Sequence, residues 1–275
     1  MKTVPLFGYT ISSEDAEANA ALALGWVESG ISGRYMATAN PHSLVVASGD
    51  GLFRNALQQA DMLTPDGVGV VLAAHLLDLP LPRRVVGYDF FIALTRALAA
   101  KGEGRVFFLG SSDRVLSLIV KRLNREFPSL CVCGTYAPTY DAAFSDEENG
   151  AIVEAINAAR PDVLWVGMTA PKQEKWLFAH RDRLQVPFAG AVGAAFDFYA
   201  GTSTRAPAFI QGMGLEWLYR FICEPRRLWK RNLVSTPRFI GMVLREKMRL
   251  LRAESGDCYA VTPPVIPEGH VPDPE

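Results

Sequence analysis

Asp162-Val163-Leu164-Trp165-Val166-Gly167-Met168-Thr169-Ala170-Pro171-Lys172-Gln173-Glu174-Lys175-Trp176 is the stretch on which the fold turns. After Asp162 the run is apolar and strand-forming, so residues 162–167 predict a buried strand. The Gly167 to Pro171 segment breaks that run. From Pro171 the apolar spacing becomes helical through Arg183, with proline at the first helical position, where its missing N–H costs nothing. Open α/β folds present polar groups to ligands at such strand-to-helix breaks.

The pattern repeats outward. Residues 105–109 predict a strand, Gly110-Ser111-Ser112-Asp113 a turn and helix cap, and 115–127 a helix. Residues 130–135 predict a strand, 146–159 a helix with acids in its first turn, and 187–192 a further strand. This alternation predicts a Rossmann-like parallel sheet flanked by helices. Its strand ends at Gly110, Tyr136, Gly167 and Gly193 are expected to line one crevice. No G-x-G-x-x-G stands at a strand-to-helix turn, which argues against a nicotinamide dehydrogenase.

An N-terminal α/β portion precedes this unit. It predicts a helix over 14–29 opening after Ser12-Ser13, a strand over 35–38 ending at Asn40-Pro41, and helices over 42–47 and 51–60. A strand over 62–64 ends at Pro65-Asp66-Gly67, a buried helix covers 68–77, and another helix covers 89–100.

Beyond Thr204 the composition changes. Between Thr204 and Arg252 stand eleven cations against three acids, Glu216, Glu224 and Glu246. Phe209, Met213, Trp217, Phe221, Trp229 and Phe239 are interleaved. Cations mixed with large apolar groups suit anionic lipid headgroups or diphosphates, and this basic helical appendage is read as facing an anionic membrane surface. The Pro-rich acidic end has no hydrophobic periodicity and is expected to be disordered.

The 275 residues carry a net charge of −1, with 49% hydrophobic and 21% charged residues, which fits a soluble globular protein and no nucleic-acid partner. Cys131, Cys133, Cys223 and Cys258 have no zinc or redox spacing and read as free thiols. No apolar segment follows Met1 as in a signal peptide. The longest apolar stretches, 68–77 and 188–196, fall short of the roughly 18 residues of a membrane span. The expected location is the cytoplasm, peripheral to the inner membrane face.

Individual residues carry two readings each. Asp66 has small or apolar neighbours, a setting that raises a carboxyl pKa and suits a general base; an Asp before Gly also caps helices. Asn40 before Pro41 initiates a turn, and His42 reads as a cap or packing residue. Arg83-Arg84 reads as a solvated pair. Gln173 and Glu174 fit ordinary helix-start chemistry, while the N–H groups there also suit a phosphate. Thr202-Ser203-Thr204-Arg205 reads equally as a loop or a phosphate contact. No D-x-D between strands, H-E-x-x-H or His/Cys cluster occurs, so no metal or cofactor site is predicted. A nucleotide-sugar enzyme of this kind would neutralise its leaving diphosphate with arginines.

Taken in order, T-A-N-P-H (38–42), T-P-D-G-V-G-V (64–70), R-R-V-V-G-Y-D (83–89), V-G-M-T-A-P-K-Q-E-K-W (166–176), G-A-V-G-A-A-F-D-F-Y-A-G (190–201) and G-L-E-W-L-Y-R-F-x-x-E-P-R-R-L-W-K-R (214–231) resemble the WecG/TagA/CpsF glycosyltransferases, glycosyltransferase family 26, over about residues 30 to 240. The xanthan-type glucosyltransferase branch is similar too. The resemblance implies an inverting, metal-independent enzyme. It would move N-acetylmannosamine, N-acetylmannosaminuronic acid or glucose from a UDP-sugar donor to a polyprenyl-diphosphate-linked saccharide acceptor in cell-surface polysaccharide synthesis. It implies Asp66 as general base, Thr38 and Asn40 in the sugar pocket, and Arg84 and Gln173 as substrate-binding residues. Arg220 and Arg227, from the appendage, would meet the diphosphate. Self-association would hide the appendage away from the membrane.

The organisation expected is then an α/β catalytic core over 1–203, with a base-bearing part (1–103) and a nucleotide-binding part (104–203), the appendage over 204–252 and the tail over 253–275. The acidic Pro-rich end departs from the family pattern. The alternative is a non-catalytic, nucleotide-sensing membrane adaptor of the same fold, distinguished by turnover.

Overall fold

The computed structural model describes residues 1–139 and 144–254, the side chains of Ala208, Arg227, Lys230, Arg231, Asn232 and Glu254 excepted. The tail from 255 lies outside the described residues, as does Cys258.

The chain opens with a two-stranded hairpin, β1 (Thr3–Leu6) and β2 (Tyr9–Ser12), then α1 (Ala16–Ser29). Phe7 and Gly8 form its turn with φ of 53° and 79°. Positive φ at both central residues matches the right-handed twist of the flanking strands. The hairpin was not anticipated, because Phe-Gly is a weaker turn signal than Asn-Gly. Nor do the two serines cap α1: Asp15 does, accepting from the Ala18 N–H, while Ser12 Oγ donates to Asn19 Oδ1.

Next come β3 (Arg34–Ala39), α2 (Pro41–Gly49), α3 (Gly51–Gln58), β4 (Met62–Pro65), α4 (Val68–Leu76) and α5 (Gly87–Ala100). The alternating unit follows as β5 (Arg105–Gly110), α6 (Asp113–Glu126), β6 (Cys131–Tyr136), α7 (Asp146–Ala159), β7 (Val163–Gly167), α8 (Lys172–His180) and β8 (Phe188–Ala191). The expected strands and helices therefore form, each within a few residues. After β8 the chain makes an unanticipated short helix, α9 (Ala195–Ala200).

Six strands form one parallel sheet in the order β4-β3-β8-β7-β5-β6. The last strand in sequence, β8, lies between β7 and β3, so both parts of the chain share the sheet. Because side chains alternate across a pleated strand, Val106 and Phe108 pack with α1, α5, α6 and α9, whereas Phe107 and Leu109 pack with α7 and α8. All six strand ends meet one edge. There Gly110 pairs with Gly167, and a Cβ on Gly110 would come within 2.7 Å of the Gly167 backbone. Glycine alone permits that approach.

The C-terminal segment comprises α10 (Ala208–Gly212), α11 (Glu216–Cys223), α12 (Pro225–Trp229), a π-helical turn (Lys230–Ser235) and α13 (Thr236–Glu254). Phe239 and Val243 of α13 are buried in a cluster with Val70, Leu77 and residues of the N-terminal hairpin. One face of α13 is thus part of the hydrophobic core. In turn, α4 is not buried all round: Leu72 and Leu76 are 60% and 51% exposed.

Candidate active site

The shared edge of the sheet collects most of the sequence-predicted residues. Thr38 near the end of β3 pairs in register with Thr64 of β4, and Ala39 with Pro65. Asp66 follows immediately, its N–H donating to the Ala39 carbonyl at 2.7 Å. Asp66 as a residue is half-buried. Two glycines shape this turn. Gly67 has φ +94° at the start of α4, and a Cβ on Gly69 would lie 2.6 Å from Pro41 Cγ. T-P-D-G-V-G is therefore a packing requirement as well as a place for an acid: it lets α4 start against α2, directly behind Asp66.

Asn40 is the N-cap of α2. Its Oδ1 accepts from the Ser43 N–H at 2.9 Å, and Ser43 Oγ accepts from the Asn40 N–H at 2.8 Å. The side-chain oxygen is engaged in that reciprocal cap. His42 Nδ1 stands 2.7 Å from Ser235 Oγ, linking α2 to the π-helical turn.

Arg84 is held near the end of β4 because the next residue, Val85, donates its N–H to the Pro65 carbonyl at 2.7 Å. Gly87, three residues on, opens α5 beside Val192 and Thr38; a Cβ there would lie 3.3 Å from the Val192 carbonyl oxygen. The R-V-V-G spacing is thus fixed by close approach. Arg84 is not a solvated residue. Its Nη1 stands 2.9 Å from Glu216 Oε2, and its Nη2 donates to the Gln211 carbonyl at 3.1 Å.

Gln173 is buried beside the ends of β7 and β8. Its Oε1 accepts from the Met168 N–H at 3.2 Å and its Nε2 donates to Glu174 Oε1 at 2.8 Å. A Cβ on Gly193 would meet this amide at 3.5 Å. Glu174 is fully buried, and desolvation pushes its carboxyl up to about 7. Two other residues of the motif are structural. Lys175 pairs with Asp50 and holds that carboxyl below its usual range, and Trp176 donates its indole N–H to Asn149 Oδ1.

Arg220 of α11 places its guanidinium 5.3 Å from the Phe198 ring centroid, on the helix following β8. Arg227 falls in α12, and its side chain lies outside the described residues. The edge therefore gathers Thr38, Asp66 and Gln173. Arg84 joins it through the bond from Val85 to Pro65, and the appendage folds back toward it.

The sequence did not single out Glu216 as a contact. It is buried between Arg84 and Arg205, whose Nε lies 3.8 Å from Glu216 Oε1, while Arg205 Nη1 also bonds Asp89 Oδ1 at 2.8 Å. The available signal was an acid in a segment otherwise rich in cations. Among the described residues no three His, Cys, Asp or Glu side chains gather to hold a metal ion, and no helix is long and apolar enough to cross a membrane.

Comparison with known proteins gives a coherent result. The model of the Glycosyl transferase WecG/TagA/CpsF family matches residues 4–253. An N-acetylglucosaminyldiphosphoundecaprenol N-acetyl-beta-D-mannosaminyltransferase of Bacillus spizizenii (strain W23) is 33% identical over 78% of this chain and 80% of its own length. The protein of that name from Bacillus subtilis (strain 168) is 31% identical over the same shares. One from Staphylococcus aureus (strain NCTC 8325) is 28% identical over 80% of this chain and 83% of its own. With the family pattern matched from hairpin to last helix, and its polar motifs gathered on one sheet edge, the chain belongs to the WecG/TagA/CpsF family of glycosyl transferases and is by that membership a sugar-transferring enzyme.

Proposed function

We propose that this protein transfers a sugar, with inversion and without a metal ion, from a UDP-sugar to a polyprenyl-diphosphate-linked saccharide at a membrane surface. N-acetylmannosamine is the donor sugar and N-acetylglucosamine the acceptor sugar that the relatives' names favour. The observation that carries the reading is the position of Asp66. It stands at a parallel-sheet edge, immediately after the strand that pairs with the one carrying Thr38, with an arginine-bearing segment folded toward the same edge.

In this reading the Asp66 carboxylate takes the proton of an acceptor hydroxyl. The hydroxyl oxygen forms its bond to the anomeric carbon as the bond from that carbon to the phosphate oxygen breaks. UDP leaves with the electron pair from the opposite face, so one displacement inverts the configuration. Arg220 and Arg227 stabilise the charge growing on the diphosphate; guanidinium groups suit this because their forked donors match phosphate oxygens. Thr38 and Asn40 line the sugar pocket. Gln173 orients the donor, its amide held in turn by Met168 and Glu174. Arg84 contributes to donor binding from the position Glu216 gives it. Support for the membrane surface comes from exposed Phe209, Met213, Trp217 and Ile222 among the appendage's cations.

The test is an assay of the full chain with a panel of UDP-sugars and a short-chain prenyl-diphosphate N-acetylglucosamine, with and without a chelator. Product mass identifies the sugar and NMR the new anomeric configuration. A retained configuration, or activity abolished by chelation and restored by one divalent ion, overturns this mechanism.

A further inference from the structure

A cavity of ≈ 370 Å³ runs from the Asp66 turn between α4 and α13. Its inner end is formed by Asp66, with Pro41 and His42 close by. Its walls are then almost wholly apolar: Leu72 and Leu76 from α4, Ile240 and Leu244 from α13, and Trp217 from α11. The stretch of α4 from Gly69 to Leu76 gives the groove a length of about 10 Å, at 1.5 Å per residue.

Burial of the enzyme's own core does not account for this groove. On α13 the core-facing residues are Phe239 and Val243, whereas Ile240, Leu244, Met248 and Leu251 form a second apolar stripe left exposed. The spacing of four, four and three places these on one helical face. Leu72 and Leu76 expose the facing stripe of α4. Apolar surface thus begins beside the carboxylate, passes through the groove and continues past its outer end. Arg245, Arg249 and Arg252 flank that stripe on α13 and are exposed. An acid at one end and apolar walls beyond it match a molecule with a sugar head and a hydrocarbon tail, while the cations beside the outer part of the stripe suit the anionic headgroups of a surrounding bilayer.

We infer that the groove between α4 and α13 binds the membrane-proximal part of the acceptor's prenyl chain and so aims the saccharide hydroxyl at Asp66. This rests on the acceptor class proposed above and adds where its lipid lies. The occupant is one hydrocarbon chain, drawn partly out of the bilayer, whose remaining length stays among the lipids. Binding the tail along a fixed groove turns attack on the donor into a positioned event.

Two acceptors separate this claim from the transferase reading: the farnesyl and the methyl diesters of N-acetylglucosamine diphosphate, assayed in detergent-free solution with the donor the panel selects. Leu72→Asp and Ile240→Asp replace exposed side chains, so the fold is expected to persist, as circular dichroism checks. The expected result is a KM for the farnesyl acceptor raised at least tenfold, with kcat and the methyl-acceptor kinetics unchanged. A farnesyl-diphosphate analogue carrying a terminal diazirine should label peptides of α4 and α13. Equal effects on both acceptors, unchanged KM in both variants, or labelling confined to α10 and α11 overturns the groove assignment while leaving the transferase standing. Variants that dissociate a dimer in sedimentation velocity without moving either KM make the groove a subunit contact instead, and also overturn it. Absence of transfer by the wild-type chain to either acceptor removes the transferase reading and this inference together.

Discussion

Arg84 and Glu216, 132 residues apart in sequence, meet at 2.9 Å, and the same guanidinium donates to the Gln211 carbonyl. One side chain of the core thereby fixes the entry of α11, and with it the direction from which Arg220 approaches the sheet edge. Both partners are largely removed from water, so loss of either strands a charge.

Glu216→Ala is expected to loosen α10 to α12 without unfolding the sheet. Limited proteolysis should cut faster between residues 207 and 235, and turnover should fall at least tenfold. Stability should drop by on the order of 1–3 kcal/mol, the cost of a buried donor left unpaired. Wild-type proteolysis and turnover together would remove the pair from any role in placing the appendage.

Asp66→Asn preserves shape and removes the carboxylate proposed as the base. The expected outcome is a loss of roughly 10²–10⁴ in kcat, with UDP affinity by calorimetry and the thermal midpoint near wild type. A kcat within threefold of wild type excludes Asp66 as the proton acceptor.

Arg220→Ala should raise the barrier by about 2.7–4 kcal/mol, the scale of one lost donor to a developing anion. Arg220→Lys should recover only part of this, since an ammonium lacks the planar fork. A lysine variant as fast as wild type would mean that charge alone matters there, and wild-type rates in both variants would remove Arg220 from the chemistry.

Glu174 titrates against the fold. Its carboxyl has an ordinary value of 4.5 and stands at about 7 when folded, raised by burial. The folded state therefore binds a proton that the unfolded chain has released. Its contribution is fully present below about 4.5 and is lost as pH rises to about 7, a change of up to about 3 kcal/mol. Urea unfolding from pH 5 to 8 should show this decline in the wild type and a flatter profile in Glu174→Gln. Identical slopes would show that Glu174 is ionised at no cost.

Phe239→Ala tests whether α13 belongs to the core. The ring is buried and lies edge-on to Phe7 at 5.7 Å. Truncation should cost about 3–5 kcal/mol. By the same reasoning, a chain cut before Gly212 uncovers Val70 and Leu77 and should be less stable than the full chain; equal denaturation midpoints would mean that α13 merely rests on the surface.

Much of the fold was legible locally. Residues 146–159 read as a helix from Ser145 and the acids behind it, and α7 has those bounds, with Ser145 as its cap. Period two and period 3.6 mark which face of an element is apolar, and Pro and Gly mark where it ends. The Phe7-Gly8 turn is not legible locally because positive φ at Phe7 is a property of the closed hairpin, not of phenylalanine. Leu72 and Leu76 are exposed where the sequence predicts a buried helix, because an all-apolar helix has no pattern to show which face lacks a partner.

The candidate site divides in the same way. Asp66, Thr38 and Gln173 stand after or near strand ends, so sequence alone could place them at one edge of a parallel sheet. Glu216 against Arg84, the burial of Glu174 and the core face of α13 depended on contacts between distant segments.

Sequence by itself determined the succession of strands and helices, the polar breaks between them and the cationic segment near the end, because each is written in neighbouring residues. Tertiary structure decided that β8 enters between β7 and β3, that Arg84 receives Glu216, and that α4 and α13 leave a groove beside Asp66. Apolar periodicity records that a surface must be covered; only packing in three dimensions selects what covers it, and what it leaves open.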